Sequence, residues 1–127
     1  MYVSSEVAEI INKAFSLAKS ARFEYVTPEL VLYVACQNRM FAQAFRNCGG
    51  NVRGLDRDLR KYLEEYMEPG SAQDGREPEL SQGMGYVLAC AWEVAQNSEK
   101  SMVELPHVLY AMYALPESYA VYYICSQ

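Results

Sequence analysis

The chain has 127 residues, 51% of them hydrophobic and 21% charged, with a formal net charge of −5 and a pI near 4.9. This length corresponds to one domain, and the mixture of apolar and charged residues is typical of a soluble globular protein. The acidic balance opposes nonspecific nucleic-acid binding. No apolar run approaches the roughly 18 residues of a membrane-spanning helix, and the first residues lack the pattern of a signal peptide. We therefore expect a cytoplasmic protein with no nucleic-acid and no membrane partner.

An internal repeat organises the chain. Residues 4–48 overlay residues 81–125 without a gap, and the run Val31-Leu32-Tyr33 recurs 77 positions later as Val108-Leu109-Tyr110. Repeated half-units usually pack together, because neither buries its apolar face alone. The sequence therefore predicts one domain over residues 1–127. It comprises repeat one (1–67), a Gly- and Pro-rich linker (68–78) and repeat two (79–127).

The first repeat opens with two helices that have clear start signals. Apolar residues within 7–18 recur at i, i+3, i+4 and i+7, which predicts an amphipathic helix. Ser4 or Ser5 can cap this helix. A second helix starts at Thr27-Pro28, because Thr supplies a capping oxygen and Pro is favoured at the first helical position.

Further helices follow along the chain. A short third helix over Phe41 to Asn47 ends at Gly49-Gly50, and Asn51 can cap a fourth. The helical pattern restarts near Met84 and predicts later helices over residues 105–114 and 118–125. No segment shows sustained two-residue alternation, so no sheet is expected. The predicted fold is all-α, with about seven helices in two tandem repeats.

The end of the second repeat differs from that of the first. Gln127 corresponds to Gly50, so nothing in this sequence matches the fourth helix. Either the natural protein continues beyond Gln127, or the second repeat is shorter than the first. An unmatched apolar edge often marks a contact site, and here it would include Tyr119 and Tyr123. The repeat-matched tyrosines are expected to fill the core instead; they are Tyr33, Tyr110 and Tyr122.

The residues that carry chemistry are sparse. His107 is the only histidine, and none of the four cysteines forms a C-x-x-C pair. The sequence lacks a phosphate-binding G-x-x-x-x-G-K-[ST] motif as well. We therefore expect no catalytic site, no cofactor and no metal. Cys48 and Cys125, which are equivalent in the two repeats, are expected to be buried thiols in a reducing compartment.

Two segments carry a family resemblance. The pattern Ala14-Phe15-x-x-Ala18, followed by the segment from Glu24 to Leu32, resembles the N-terminal repeat domain of Clp-type AAA+ unfoldases, with the ClpA branch as the best match. The resemblance covers nearly the whole chain. It implies a non-catalytic module that precedes two ATPase rings and docks adaptors and substrates for ATP-dependent proteolysis.

The same resemblance implies partners and a site. The partners would be a ClpS-like adaptor, protein substrates, and the ATPase rings and a Clp peptidase through the parent chain. Adaptor contact in the family involves acidic positions around the start of the second helix, which are Glu24 and Glu29 here, with Thr27 as the cap between them. Glu29 can equally serve the helix dipole. Pro106 replaces the second repeat's acidic residue, so a two-site phosphoarginine function is not expected.

An alternative function keeps the fold and changes the partner. In this interpretation the chain is a free-standing helical domain that self-associates through the tyrosine-rich edge with Tyr119 and Tyr123.

Overall fold

The computed structural model describes residues 2–66 and 76–114. These residues form six helices and two very short strands. In chain order they are α1 (Ser5–Ala21), β1 (Tyr25–Val26), α2 (Pro28–Ala35), α3 (Arg39–Asn47), α4 (Val52–Tyr66), β2 (Glu79–Leu80), α5 (Gln82–Asn97) and α6 (Leu105–Tyr113). The prediction of an all-α fold packed as one domain is confirmed. The predicted seventh helix over residues 118–125, with Tyr119, Tyr122, Tyr123 and Cys125, lies outside the described residues.

The first helices of the two repeats begin in the same way. Ser4 precedes α1 with φ −65° and ψ 161°, and Ser81 precedes α5 with φ −66° and ψ 159°. The Ser4 hydroxyl accepts a hydrogen bond from the Val7 N–H, and the Ser81 hydroxyl accepts one from the Met84 N–H. Each serine satisfies an N–H that has no partner within its helix, which fixes where the helix starts.

These two helices also end alike. Arg22 and Glu99, which are repeat equivalents, have φ values of 59° and 60° in the left-handed region. The N–H of the next residue then donates back to the helix, from Phe23 to the Ala18 carbonyl and from Lys100 to the Ala95 carbonyl. This is the Schellman arrangement, which usually places glycine at the left-handed position. Neither repeat has glycine there.

The helices α3 and α4 form a hairpin that belongs to repeat one. Asn38 caps α3 through the Phe41 N–H, and Asn51 caps α4 through the Gly54 N–H. Between them Gly49 adopts φ 86°, which is the conformation that glycine supplies without strain. The apolar side of α4 is buried, as its spacing predicts; its residues are Leu55, Leu59 and Leu63.

The structure corrects the prediction that no sheet is present. Val3 pairs with Val103 in a parallel bridge, and β1 pairs with β2 in parallel, with Val26 opposite Leu80. The two pairings are equivalent under the repeat, since the residues before α1 pair with those before α6, and the residues before α5 pair with those before α2. We call this reciprocal pairing the exchange ladder. Strands of two residues are too short to show alternation, which is why the sequence did not reveal them.

The core lies directly beneath the exchange ladder. Val26 and Val103 are fully buried, and the inner stripes of α1 and α5 pack against them. Of the stripe predicted for the first helix, Val7, Ile10, Ala14 and Ala18 are buried, whereas Ile11 and Phe15 are half-buried at its edge. The equivalent residues of α5 are Met84, Val87, Ala91 and Ala95. Both repeats therefore contribute the same helix face to one shared core.

Two burial predictions were wrong. Cys48 is exposed, because α3 ends at Asn47 and the chain turns away before this cysteine can continue the buried stripe. Tyr110 is also exposed, although its repeat equivalent Tyr33 is half-buried. On α2 the helix α4 packs beside Tyr33, whereas no described element packs over Tyr110 on α6 in the same way.

No helix within residues 2–66 and 76–114 has the length and apolar character required to cross a membrane.

Replacing Glu99 by glycine should stabilise the protein. The left-handed conformation costs a residue with a Cβ about 1 kcal/mol, and glycine adopts it freely. We expect a gain of about 0.5–1 kcal/mol in the free energy of unfolding, measured by urea denaturation. Glu99→Ala is the matched control, since alanine removes the carboxylate but retains the strain. Equal stabilities of the two variants would contradict this explanation.

The cysteines should differ sharply in reactivity. Burial, with a smaller contribution from Asp56, raises the pKa of the Cys36 thiol to about 12, whereas Cys48 is exposed. Only the thiolate is nucleophilic, so Cys36 should resist iodoacetamide at pH 8 while Cys48 reacts. Peptide mass spectrometry measures the modification at each site. Denatured protein, in which both thiols should react, is the control.

Candidate partner-binding site

The predicted acidic site lies at the start of α2, where its three residues have different environments. The Thr27 hydroxyl accepts a hydrogen bond from the Leu30 N–H at 3.2 Å, which confirms Thr27 as the helix cap. Glu29 stands in the first turn and is only 7% exposed. Its carboxylate is therefore well placed to interact with the positive end of the α2 dipole, and it offers little surface to a partner.

Of the two carboxylates at this site, that of Glu24 is the accessible one. Its side chain is 36% exposed, and its Oε1 lies 3.8 Å from Nη1 of Arg76. The Glu24 carbonyl accepts a hydrogen bond from the Glu79 N–H, so the main chain at this position is held by the exchange ladder. The carboxylate is thus presented from a fixed backbone and is partly neutralised by one exposed arginine.

Exposed apolar residues follow Glu24 and Glu79 along the paired strands. Tyr25 and Leu80, one on each strand of the β1–β2 pair, are among the large hydrophobic residues that remain exposed. Side chains alternate along a strand, so Tyr25 lies on the opposite side of the strand pair from Leu80. We call the exposed residues Glu24, Tyr25, Arg76 and Leu80, on both sides of this strand pair, the ladder face. Aromatic and aliphatic groups next to a charged rim are typical of protein–protein contact surfaces.

A second ion pair holds the segment before β2 to repeat one. The Lys19 ammonium lies 2.7 Å from the Glu77 carboxylate, and both side chains are exposed. Exposed pairs of this type contribute at most about 1 kcal/mol. Together with the Arg76–Glu24 pair, it anchors this segment beside the ladder face.

Sequence reasoning proposed Glu24 as a site residue but did not place Arg76 or Leu80 near it. Both lie more than 50 positions away along the chain, and the pairing that brings them to Glu24 involves only two-residue strands. One signal was available: Leu80 is the repeat equivalent of Val3, and Val26 is the equivalent of Val103. If Val26 pairs with Leu80, the 77-residue repeat predicts that Val103 pairs with Val3, and this symmetric pair of contacts could have been proposed from the sequence.

His107 has a structural position in α6. Its Nδ1 accepts a hydrogen bond from the Glu104 backbone N–H at 2.9 Å, so the ring helps to cap the helix. Among residues 2–66 and 76–114, no group of three or more His, Cys, Asp or Glu side chains is arranged to hold a metal ion.

Comparison with known proteins places these features in a family. The family model described as the Clp repeat (R) N-terminal domain matches residues 2–127. The chain therefore belongs to the Clp repeat N-terminal domain family. Domains of this family are non-catalytic N-terminal modules of Clp/Hsp100 ATPases and typically serve in interactions. The matches do not single out the ClpA branch.

Solved structures show the same fold at low sequence identity. The Hsp104 N-terminal domain of Candida albicans is 21% identical with a TM-score of 0.82, and the match covers 99% of this chain and 81% of that chain. The N-terminal domain of the ClpV1 ATPase of E. coli is 19% identical with a TM-score of 0.83, covering 98% and 77%. A protein from a malarial protein secretion system is 17% identical with a TM-score of 0.85, covering 99% and 84%.

Charge reversal at Glu29 should destabilise the fold. A lysine there would bury a positive charge against the positive end of the α2 dipole. We expect Glu29→Lys to lower the free energy of unfolding by at least about 2 kcal/mol, measured by thermal or urea denaturation. Glu24→Lys, at the more exposed position, should stay within about 0.5 kcal/mol of wild type. Equal losses in the two variants would contradict the distinction between the two carboxylates.

Proposed function

We propose that this domain docks protein partners, adaptors or substrates, for a Clp-type ATP-dependent unfoldase, and that the ladder face receives them. Glu24, Thr27 and Glu29 have separate roles in this proposal. Glu24 contacts the partner, while Thr27 and Glu29 hold the start of α2 in position. The observation that carries the proposal is the accessible Glu24 carboxylate on a strand pair that also exposes Tyr25 and Leu80.

The charge of the ladder face favours a basic partner. The chain has a formal net charge of −5, and Glu79, next to Leu80 in β2, is exposed. Long-range attraction of this sign increases the rate of encounter with basic surfaces. The Arg76 guanidinium competes for the same carboxylate, so an incoming cation must replace it. A ClpS-like adaptor that presents basic residues fits this requirement.

The proposal predicts opposite effects for the two members of the ion pair. Glu24→Lys should weaken adaptor binding about fivefold to tenfold, because reversal replaces attraction by repulsion. Arg76→Ala should strengthen binding, since it leaves Glu24 free to pair with the adaptor. Isothermal titration calorimetry with a purified ClpS-family adaptor measures both effects. The effects should shrink with added salt, because the charges are exposed.

A charge-matched variant provides the control. Glu93 is an exposed carboxylate on α5 and lies outside the ladder face, so Glu93→Lys makes the same change in net charge. It should leave adaptor affinity close to wild type. If Glu24→Lys and Glu93→Lys weaken binding equally, or if neither does, the ladder face is not the docking site.

A further inference from the structure

The corner where β2 leads into α5 has an unusual composition. Ser81 is the N-cap of α5, so Leu80 stands one residue before the cap and Gly85 is the fourth residue of the helix. Apolar side chains at these two positions often pack on each other and fix the direction in which the chain enters a helix. In α5 the second position has no side chain to contribute.

The repeat shows the same corner in a filled form. The equivalents of Leu80 and Gly85 at the start of α1 are Val3 and Ala8, and both are half-buried. In repeat two Leu80 is 38% exposed. A Cβ placed on Gly85 would have nothing within 4 Å apart from its own helix backbone. Open space therefore remains where a packing partner of Leu80 would stand. We call this space the Gly85 notch.

The helix that covers repeat one does not lie near the matching corner. In repeat one α4 lies against α2 and approaches α1 near its end, where Leu17 and Ala21 line a hollow together with Leu63. Ala8 is about 20 Å from Ala21 along the helix axis, at 1.5 Å per residue. A helix placed on repeat two as α4 is placed on repeat one would therefore lie away from Gly85.

The Glu24 carboxylate belongs to the same side of the strand pair as Leu80. Residues two positions apart share a side of a strand, and paired residues share a side of the sheet. Glu24 precedes Val26 by two positions, and Val26 is the partner of Leu80. The Glu24 carbonyl is part of the ladder, because it accepts the Glu79 N–H. Along the strands, Glu24 and Leu80 are therefore about 7 Å apart, at about 3.3 Å per residue.

These positions specify the chemistry of a ligand. An accessible carboxylate selects a cation, whereas open space beside an exposed leucine selects an apolar side chain. A segment in an extended conformation places side chains i and i+2 on one side, about 7 Å apart. This separation matches the one between Glu24 and Leu80.

We propose that the Gly85 notch receives an apolar side chain from an extended segment of the partner, two positions away from a basic residue that pairs with Glu24. This inference rests on the proposed function and adds the short sequence that the ladder face selects. Gly85 determines specificity in it, because any side chain at this position would occupy the space that the ligand needs. Leu80 forms the apolar wall of the notch.

The first test fills the notch. Gly85→Leu should weaken the binding of a purified ClpS-family adaptor about tenfold in calorimetric titration, because the new side chain excludes that of the partner. Ala8→Leu makes a similar addition at the equivalent position of α1, outside the ladder face, and should leave the affinity unchanged. Circular dichroism verifies that both variants retain their helicity. Unchanged affinity in a folded Gly85→Leu variant would overturn the proposal.

A smaller substitution separates blocking from damage to the fold. Alanine favours a helix more than glycine does, and the space at Gly85 admits a methyl group. Gly85→Ala should therefore raise the midpoint of urea denaturation while it weakens adaptor binding about twofold to threefold. A loss of affinity in a more stable variant supports the notch, whereas affinity equal to wild type in both Gly85 variants contradicts it.

A peptide titration tests the spacing in the ligand. A synthetic peptide carries one lysine with leucines two positions before and after it, in a background of glycine and serine, and is titrated into the ¹⁵N-labelled chain of 127 residues. We expect amide shift changes centred on Glu24, Leu80 and Gly85. An isomer with both leucines next to the lysine should bind about fivefold more weakly, because alternation directs them to the other side. Equal binding of the two isomers would overturn the spacing.

The same adaptor titrations distinguish this inference from the proposed function. Loss of affinity in both Glu24→Lys and Gly85→Leu supports the two together. Loss in Glu24→Lys alone overturns the notch and leaves the ladder face as a docking site. Loss in neither variant overturns both.

Discussion

The reciprocal pairing of the exchange ladder is the constraint on which the rest of the structure depends. Ser4 donates its N–H to the Val103 carbonyl, and its equivalent Ser81 donates to the Val26 carbonyl. The same two serines cap the long helices, so one residue in each repeat sets both the helix start and the pairing with the other repeat. The core and the ladder face both follow from this arrangement, because it buries the two central valines and brings Arg76 to Glu24.

The two repeats share the same helix arrangement but differ in the elements that pack on α2 and on α6. In repeat one, α4 lies over α2 and leaves little space beneath it. In repeat two, the matching face of α6 borders a larger groove with two exposed tyrosines. The ladder face carries charged and apolar residues, whereas the groove between α3 and α6 is lined by aromatic and aliphatic side chains. The two surfaces of this near-symmetric domain therefore differ in their chemistry.

Local sequence signals predicted the helices well, whereas burial and strand pairing, which depend on residues distant in the sequence, were predicted poorly. The caps at Ser4 and Thr27 gave the helix starts, because a capping hydrogen bond involves residues only three positions apart. The burial of Glu29 and the exposure of Tyr110 depend on which element packs over each helix, and periodicity contains no information on that. Cys48 was misassigned for a related reason, since its place directly after the predicted helix end does not show whether another element packs over it. The paired strands escaped notice because each contributes only two residues.

The span of the exchange ladder has a consequence for how the chain acquires its fold during synthesis. Val3 pairs with Val103, a partner 100 positions later, so the first residues have no partner until most of the chain has been made. At translation rates of about 5–20 residues per second, this delay lasts roughly 5–20 s. For most of this delay the inner faces of α1 and α2 have been synthesised but lack the α5 residues that complete the same core. Repeat one therefore emerges as an unfinished half whose apolar side is open to chaperones or to aggregation, and its stability arrives late, when repeat two closes over it.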